Sequence, residues 1–349
     1  MNSFVRKWLP PAVAVFLGIT LLYLALRGVE FGALWDDLQN GNYLWLIPFV
    51  AVTLIAHIIR AWRWRLLLEA LPENDGATRI PLRLVFASVM IGFMANYSAP
   101  RLGEIIRSSH ISMRRKLRFG SVFGTVVADR VLDMIALGIF LLSLPLVLGS
   151  RLSSLFELLG DAFQSISSPS IIVAVVAVVL VASFGLYLFV RSQNENDKGQ
   201  TFIEKIAFAF KDGLISLANS NRKTSILVST MFMWVCYLLM TYIPLEIFGL
   251  VGDGGLSMIY AWALLLIGAL GIVVPSPGGV GSYHFLAIQS LVILWSISQE
   301  AAASYAIFAH AAQMILYTAV GFMFVLAEGA TWKQLSQVPN EEEIDASSE

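Results

Sequence analysis

Two clusters of charge stand inside apolar sequence, each with its members at helical spacing. Arg101, Glu104 and Arg107 follow directly on sixteen uncharged residues, Leu84 to Ala99. Asp129-Arg130-Val-Leu-Asp133 lies inside the apolar run 119–148. Asp129 and Asp133 are four apart and share a helix face, while Arg130 points about 100° away from Asp129. A lone charge at the middle of a bilayer costs about 2.5–3.5 kcal/mol on insertion scales, so two acids and a base demand partners. Arg101, Glu104 and Arg107 are the expected partners, and Glu104 can also pair with Arg107. Such a set can tie a helix hairpin to its neighbour, or it can hold an anion. For Asp133 and Glu104 both roles stay open. For Arg101, beside the helix-breaking Pro100, anion binding is the expectation, because guanidinium forks match phosphate oxygens and a broken helix frees backbone N–H groups.

A second break, Pro275-Ser-Pro-Gly-Gly-Val-Gly-Ser282, offers more free N–H groups where a helix restarts. A restarting helix favours anions at its N-terminus, and the run lacks the Gly-Lys-Ser/Thr ending of a phosphate-binding loop. Tyr283 and His284 follow at once; His284 can titrate, touch a headgroup or be a satisfied interior histidine. Asn96 and Tyr97 can bond a ligand or satisfy backbone freed by the first break. His57 and His310, alone on apolar helices, are expected to pack. No residues have metal-ligand spacing, and no nucleophile elbow is present, so neither a metal nor a cofactor is expected. The basic clusters adjoin apolar runs, so nucleic-acid binding is not expected.

The elements that hold these residues are apolar helices. Hydrophobic residues make up 57% and charged residues 13% of the 349, with mean hydropathy +0.74, far from a soluble domain. The fold class is therefore an all-α polytopic membrane protein with about eight hydrophobic segments. Of 23 Lys and Arg, nineteen fall at 6–7, 60–83, 101–118 and 191–223, which the positive-inside rule makes cytoplasmic. Residues 10–26 resemble a signal peptide but lack a small-x-small cleavage pattern, so an uncleaved first span is expected. Residues 30–42, acidic and without Lys or Arg, read as an outside loop. Residues 43–59 cross back into Arg60-Ala-Trp-Arg-Trp-Arg65, which reads as an interfacial anchor rather than a site.

Both flanks of the run 84–99 are basic, and sixteen residues rise only about 24 Å against a core of roughly 30 Å. A hairpin from the cytoplasmic face satisfies both facts, with its tip at Tyr97–Arg101 and its return arm over 102–113. Residues 256–298, broken at 275–282, form the opposite hairpin, dipping from outside. Interrupted helices in corresponding places of two halves point to an inverted repeat around a midplane site. Further spans are expected over 119–148, 171–190, 224–250 and 301–327, with an interfacial helix over 202–218. Residues 1–330 are expected to form one membrane domain and 331–349 an acidic cytoplasmic tail.

Three patches, Asn96–Arg107 (NYSAPRLGEIIR), Thr125–Asp133 (TVVADRVLD) and Pro275–Gly281 (PSPGGVG), give the chain a resemblance to the membrane region of lysylphosphatidylglycerol synthases and their stand-alone, flippase-like relatives. The resemblance runs from the first span to the last. It implies translocation of a lipid between leaflets, as when aminoacylated phosphatidylglycerol is moved outward. The positions it implicates are Pro100, Arg101, Gly103, Glu104, Arg107, Arg130, Asp133, Pro275, Pro277, Gly278, Gly279 and Gly281. In the family the third patch usually continues to a Glu about where His284 stands, which bears on the cargo's charge. The aminoacyl-transferring soluble domain has no counterpart here, so a transporter rather than an enzyme is expected.

The expected function is flipping of an anionic phospholipid, aminoacyl-lipid or polyprenyl-phosphate-linked lipid across the cytoplasmic membrane, with both termini cytoplasmic. The alternative is a membrane glycosyltransferase, or an accessory subunit for one, in cell-envelope synthesis. The partners are then a lipid substrate and anionic headgroups, with self-association or envelope-biosynthesis partners left open.

Overall fold

The computed structural model describes residues 3–71, 79–99, 101–149, 151, 222–252, 255–273 and 276–329. Eleven helices are described: α1 (Ser3–Leu26), α2 (Phe31–Asn40), α3 (Leu46–Leu68), α4 (Leu82–Asn96), α5 (Leu102–Arg115), α6 (Phe119–Leu141), α7 (Leu144–Leu148), α8 (Lys223–Ile247), α9 (Met258–Val273), α10 (Ser282–Trp295) and α11 (Gln299–Ala327). The expected span 171–190, the interfacial helix 202–218 and the tail 331–349 lie outside the described residues.

Five stretches are long and apolar enough to cross a membrane: Tyr43–Leu68, Phe119–Leu148, Lys223–Ile247, Pro277–Trp295 and Gln299–Ala327. A sixth counts if Ala12–Leu26 and Phe31–Asn40, bent by 87°, form one span. The protein is an all-α, multi-pass membrane protein. The acidic stretch 30–42, expected as a loop, is mostly α2. Its Leu34 and Leu38 join the core beside Leu245 and Ala302, which gives an amphipathic turn enough apolar contact to fold.

Both expected hairpins are present. In the first, Gly92 lies against Gly103 and Ser88 against His110, so α5 runs back along α4. In the second, Gly271 lies against Ser282 and the Tyr260 ring against Trp295, so α10 runs back along α9. The arms α4, α5 and α9, of 14–16 residues, are about 21–24 Å long, short of a roughly 30 Å core; α10 reaches spanning length only with the kinked turn from Pro277 counted in.

The hairpins come from opposite ends of the bundle. The base of the first lies with the ends of α3 and α11: Leu66 and Leu67 pack with Val85 and Ile111, and Arg114 bonds the Glu328 carboxylate at 3.1 Å. This end carries Arg65, Arg83, Arg114, Arg115, Lys116, Arg118, Arg222 and Lys223, and is called the basic end. The base of the second lies with the start of α11 and the end of α8, where Leu256 and Leu291 pack with Leu245 and Ala302. That end holds Glu30, Asp36, Asp37, Glu246 and Glu300, and is called the acidic end. Two oppositely directed hairpins are the arrangement that an inverted repeat requires.

A buried arginine–aspartate cluster as candidate functional site

The first hairpin closes through bare backbone. A Cβ on Gly103 would lie 2.0 Å from the Gly92 carbonyl oxygen, so no side chain fits there. The Gly103 N–H, freed by the break, donates to the Asn96 carboxamide at 2.8 Å. Asn96 thus serves the backbone in this structure. Arg101 takes a left-handed conformation, φ 62°, at the N-cap of α5, with its side chain exposed and in no ion pair among the described residues. Pro100 lies outside the described residues.

The return arm presents an unusually polar face. Arg107, Ser108, Ser109, His110 and Ser112 are all buried. Arg107 leads into a cluster shared by four helices. Its centre is Asp129 on α6, which is 0% exposed. Arg63 of α3, also 0% exposed, donates to Asp129 from Nη2 at 2.6 Å and Nε at 3.0 Å, and to Asp133 at 2.7 Å. Arg60, one turn earlier, donates to Asp133 at 2.9 Å and Asp129 at 3.3 Å. From α8, Tyr237 accepts from Arg60 at 2.7 Å and Thr230 accepts from Arg63 at 3.1 Å. Trp64 is pinned by donating to Thr125 at 2.9 Å. Asp129 is ten residues into α6, so the cluster lies about 15 Å from the basic end.

These contacts correct the expected pairing. The acids of α6 are met chiefly by Arg60 and Arg63; of the expected partners Arg107 reaches Asp129 at 3.6 Å, Glu104 pairs with the base Arg130, and Arg101 takes no part. The arginines read as an interfacial anchor are instead split by helix geometry. Arg60, Arg63 and Trp64 face inward and are buried, while Trp62 and Arg65 lie on other sides of α3. The sequence did hold a sign of this, since Arg60 and Arg63 share the three-residue spacing of one helix face. Glu104 does join an ion pair, accepting from Arg130 at 2.8 Å, so Arg130 serves the hairpin while its neighbour Asp129 serves α3.

Arg107 is held loosely. Its only ion pair among the described residues is to Asp129 at 3.6 Å, and its guanidinium stacks 4.8 Å from the Trp64 ring centre. Its Nε and Nη2 are buried without a hydrogen-bond partner, as are Arg130 Nε and Glu104 Oε2. In the inner cluster three guanidiniums therefore face two carboxylates. Buried polar groups normally find partners, so unmet donors beside surplus positive charge leave room for an anion.

The tips of the two hairpins meet midway along α11. A Cβ on Gly278, φ +60°, would strike the Tyr97 ring at 2.3 Å, so the ring lies on bare backbone. His310 bonds the Gly278 carbonyl at 2.9 Å and stacks at 5.9 Å on Tyr283. The His284 ring lies 4.8 Å from that of His310, with its Nδ1 accepting from the Gly281 N–H at 3.4 Å. Tyr283 and His284 thus belong to the tip junction, not to the charge cluster. Gly279 is buried, and Pro277 opens the short turn before α10. Pro275 lies outside the described residues. Among the histidines expected to pack, His57 does so between Phe93 and Tyr317, with neither ring nitrogen partnered. His310 instead bonds the second tip.

A group resembling a catalytic triad lies at the base of the first hairpin. His110 bonds Ser88 at 2.8 Å and Glu328 at 2.7 Å. Ser88 is 0% exposed and its hydroxyl already donates to the Leu84 carbonyl. These bonds clasp α4, α5 and α11 together. No group of three His, Cys, Asp or Glu among the described residues is arranged to hold a metal.

Against this geometry, the family model described as lysylphosphatidylglycerol synthase TM region matches residues 12–321. The chain belongs to that family. The match takes in both hairpins, the α6 acids and the α3 arginines, so the lysylphosphatidylglycerol synthase TM region is the frame for the whole bundle. Membership gives the chain a membrane role connected with lipid. No curated protein and no solved structure matches it.

Proposed function

We propose that the protein moves a lipid with an anionic, phosphate-bearing headgroup between membrane leaflets, rather than synthesising it. One observation carries this reading. Arg107 is buried with two unmet donors, beside a cluster that holds more positive than negative charge. Family membership and the broken hairpins support the same reading, because interrupted helices at depth line substrate sites in transporters. The positive-inside rule makes the basic end cytoplasmic, which places the first hairpin and the end of α11 on that side.

In this mechanism the headgroup phosphate enters beside α5 and takes the Nε and Nη2 donors of Arg107. Glu104 and Arg130, the next charges toward the tip, then exchange their mutual pair for contacts with the headgroup. Arg60, Arg63, Asp129 and Asp133 hold the floor of the site. The cargo is an anionic phospholipid, an aminoacyl-lipid or a polyprenyl-phosphate-linked lipid.

The test is leaflet exchange in liposomes of fluorescent phosphatidylglycerol and phosphatidylcholine, at matched incorporation of wild type, Arg107→Gln and Glu104→Gln. The expected result is exchange of the anionic lipid by wild type and its loss in Arg107→Gln. Equal exchange by wild type and Arg107→Gln refutes the site, and absence of any wild-type exchange over a panel of anionic lipids refutes transport.

A further inference from the structure

At the basic end, α3 and α8 part around a cavity of about 330 Å³ that the central cluster does not use. Its walls carry Trp62, Arg65 and Glu69 from α3, Arg79 from the stretch before α4, and Arg222 and Ser225 from the start of α8. Among the described residues of the wall, three guanidiniums face one carboxylate. That carboxylate is already engaged, since Arg222 bonds Glu69 at 2.9 Å. Arg65 sits 3.6 Å from the other Glu69 oxygen, too far for a hydrogen bond, and its buried Nε has no partner. Arg79 makes no ion pair among the described residues. The first N–H groups of α8 also begin at this wall, because Arg222 is its N-cap and provides no side-chain cap.

We propose that this cavity is a second anion site, taking a phosphate group at the basic face of the membrane. It is separate from the central cluster. Arg63 and Arg65 are two residues apart and point to different sides of α3, so the sites share a helix and not a chamber. Arg65, with a buried Nε that has no hydrogen-bond partner among the described residues, and the exposed Arg79 present guanidinium forks that match phosphate oxygens. Trp62 gives the wall an aromatic group of the kind that settles at headgroup level. Basic pockets between helices on the cytoplasmic side take phosphate headgroups in the same way. The phosphate belongs either to a membrane lipid or to a soluble ion, and the two are separable by experiment.

The site is tested by binding and not by transport, so its failure leaves the translocation reading standing, and the reverse holds too. The full chain in neutral detergent is titrated with dioctanoyl-phosphatidylglycerol, dioctanoyl-phosphatidylcholine and inorganic phosphate, following tryptophan fluorescence. Trp62→Phe identifies the component that arises in the cavity. Arg79 is exposed and the Arg222 side chain is 52% exposed, so Arg79→Gln/Arg222→Gln is expected to fold, with Arg79→Gln alone as the milder variant. The expected result is phosphatidylglycerol binding weakened about tenfold or more in the double variant, and severalfold in the single, with the Trp62 component lost. Displacement of that lipid by millimolar inorganic phosphate assigns the site to a soluble ion; no displacement assigns it to a lipid. Phosphatidylglycerol binding within twofold of wild type in both variants overturns the proposal, as does equally tight binding of phosphatidylcholine.

Discussion

Arg107 separates a site from a scaffold by the size of a stability change. Replacing it with Met removes a guanidinium whose only ion pair is 3.6 Å long, to a carboxylate already bonded by Arg63 at 2.6 Å. The loss comprises that weak pair and a stacking contact on Trp64 of about 1–2 kcal/mol. Against it stands relief of two buried donors without partners, each costing about 1–3 kcal/mol. The relief matches or exceeds the loss, so any net destabilisation stays within about 1–2 kcal/mol and the melting temperature should fall by no more than about 4 °C. Asp129→Asn is the opposite case. It removes the charge that pairs with Arg63, Arg60 and Arg107 and leaves Asp133 to balance Arg60 and Arg63 alone, a loss of about 3–5 kcal/mol and a fall in melting temperature of roughly 6–10 °C or more. Both variants are compared by thermal unfolding in one detergent, alongside leaflet exchange of phosphatidylglycerol. Arg107→Met should be folded and inactive. If it melts as low as Asp129→Asn, Arg107 is a structural member of the network and the argument for an anion there fails.

Three further outcomes follow from the same geometry. Gly103→Ala should destabilise the first hairpin by about 3 kcal/mol or more, because its Cβ would meet the Gly92 carbonyl at 2.0 Å; Gly138→Ala, with nothing within 4 Å, should gain about 0.5–1 kcal/mol, and both are read by thermal unfolding. In a Cys236→Ser background, a membrane-impermeant maleimide should label Met113→Cys only from the cytoplasmic side and Ile259→Cys only from the other; both residues are exposed, and labelling of both from one side refutes the opposed hairpins. Glu328→Ala removes the carboxylate that holds His110 at 2.7 Å and Arg114 at 3.1 Å, so hydrogen exchange at the end of α5 should quicken while α9 and α10 keep their protection.

The first hairpin was legible because its signals are local, and the second because its Pro and Gly break answers the first. Pro, Gly and charge after a short apolar run, with basic flanks on both sides, mark a helix that turns back, and α5 begins at Leu102 as that pattern requires. Asp129 and Asp133 were legible as a pair for the same reason, since four-residue spacing sets them on one face. Their partners were not legible. Spacing shows which residues share a face of one helix, but which helix stands opposite is decided by packing across the bundle. The Trp-Arg alternation from Arg60 to Arg65 misled for a related reason, because its composition suits a headgroup region while its outcome depends on what α6 presents. Asn96 was legible only as alternatives, and its bond to the Gly103 N–H selects the backbone-satisfying one in this structure.

A last consequence attaches to Gly18 and Gly281. The tip of the second hairpin presses on α1 so closely that a Cβ on Gly281 would lie 2.0 Å from the Gly18 carbonyl oxygen. A contact of backbone on backbone has no rotamers through which to yield, unlike one made by flexible side chains. The tip therefore cannot press further toward α1 unless α1 gives way with it. Any movement of that tip toward α1 would be shared by α1 as well as by α9 and α10, a unit three helices wide whose outer side carries the exposed Phe16, Ile19 and Tyr23 of α1.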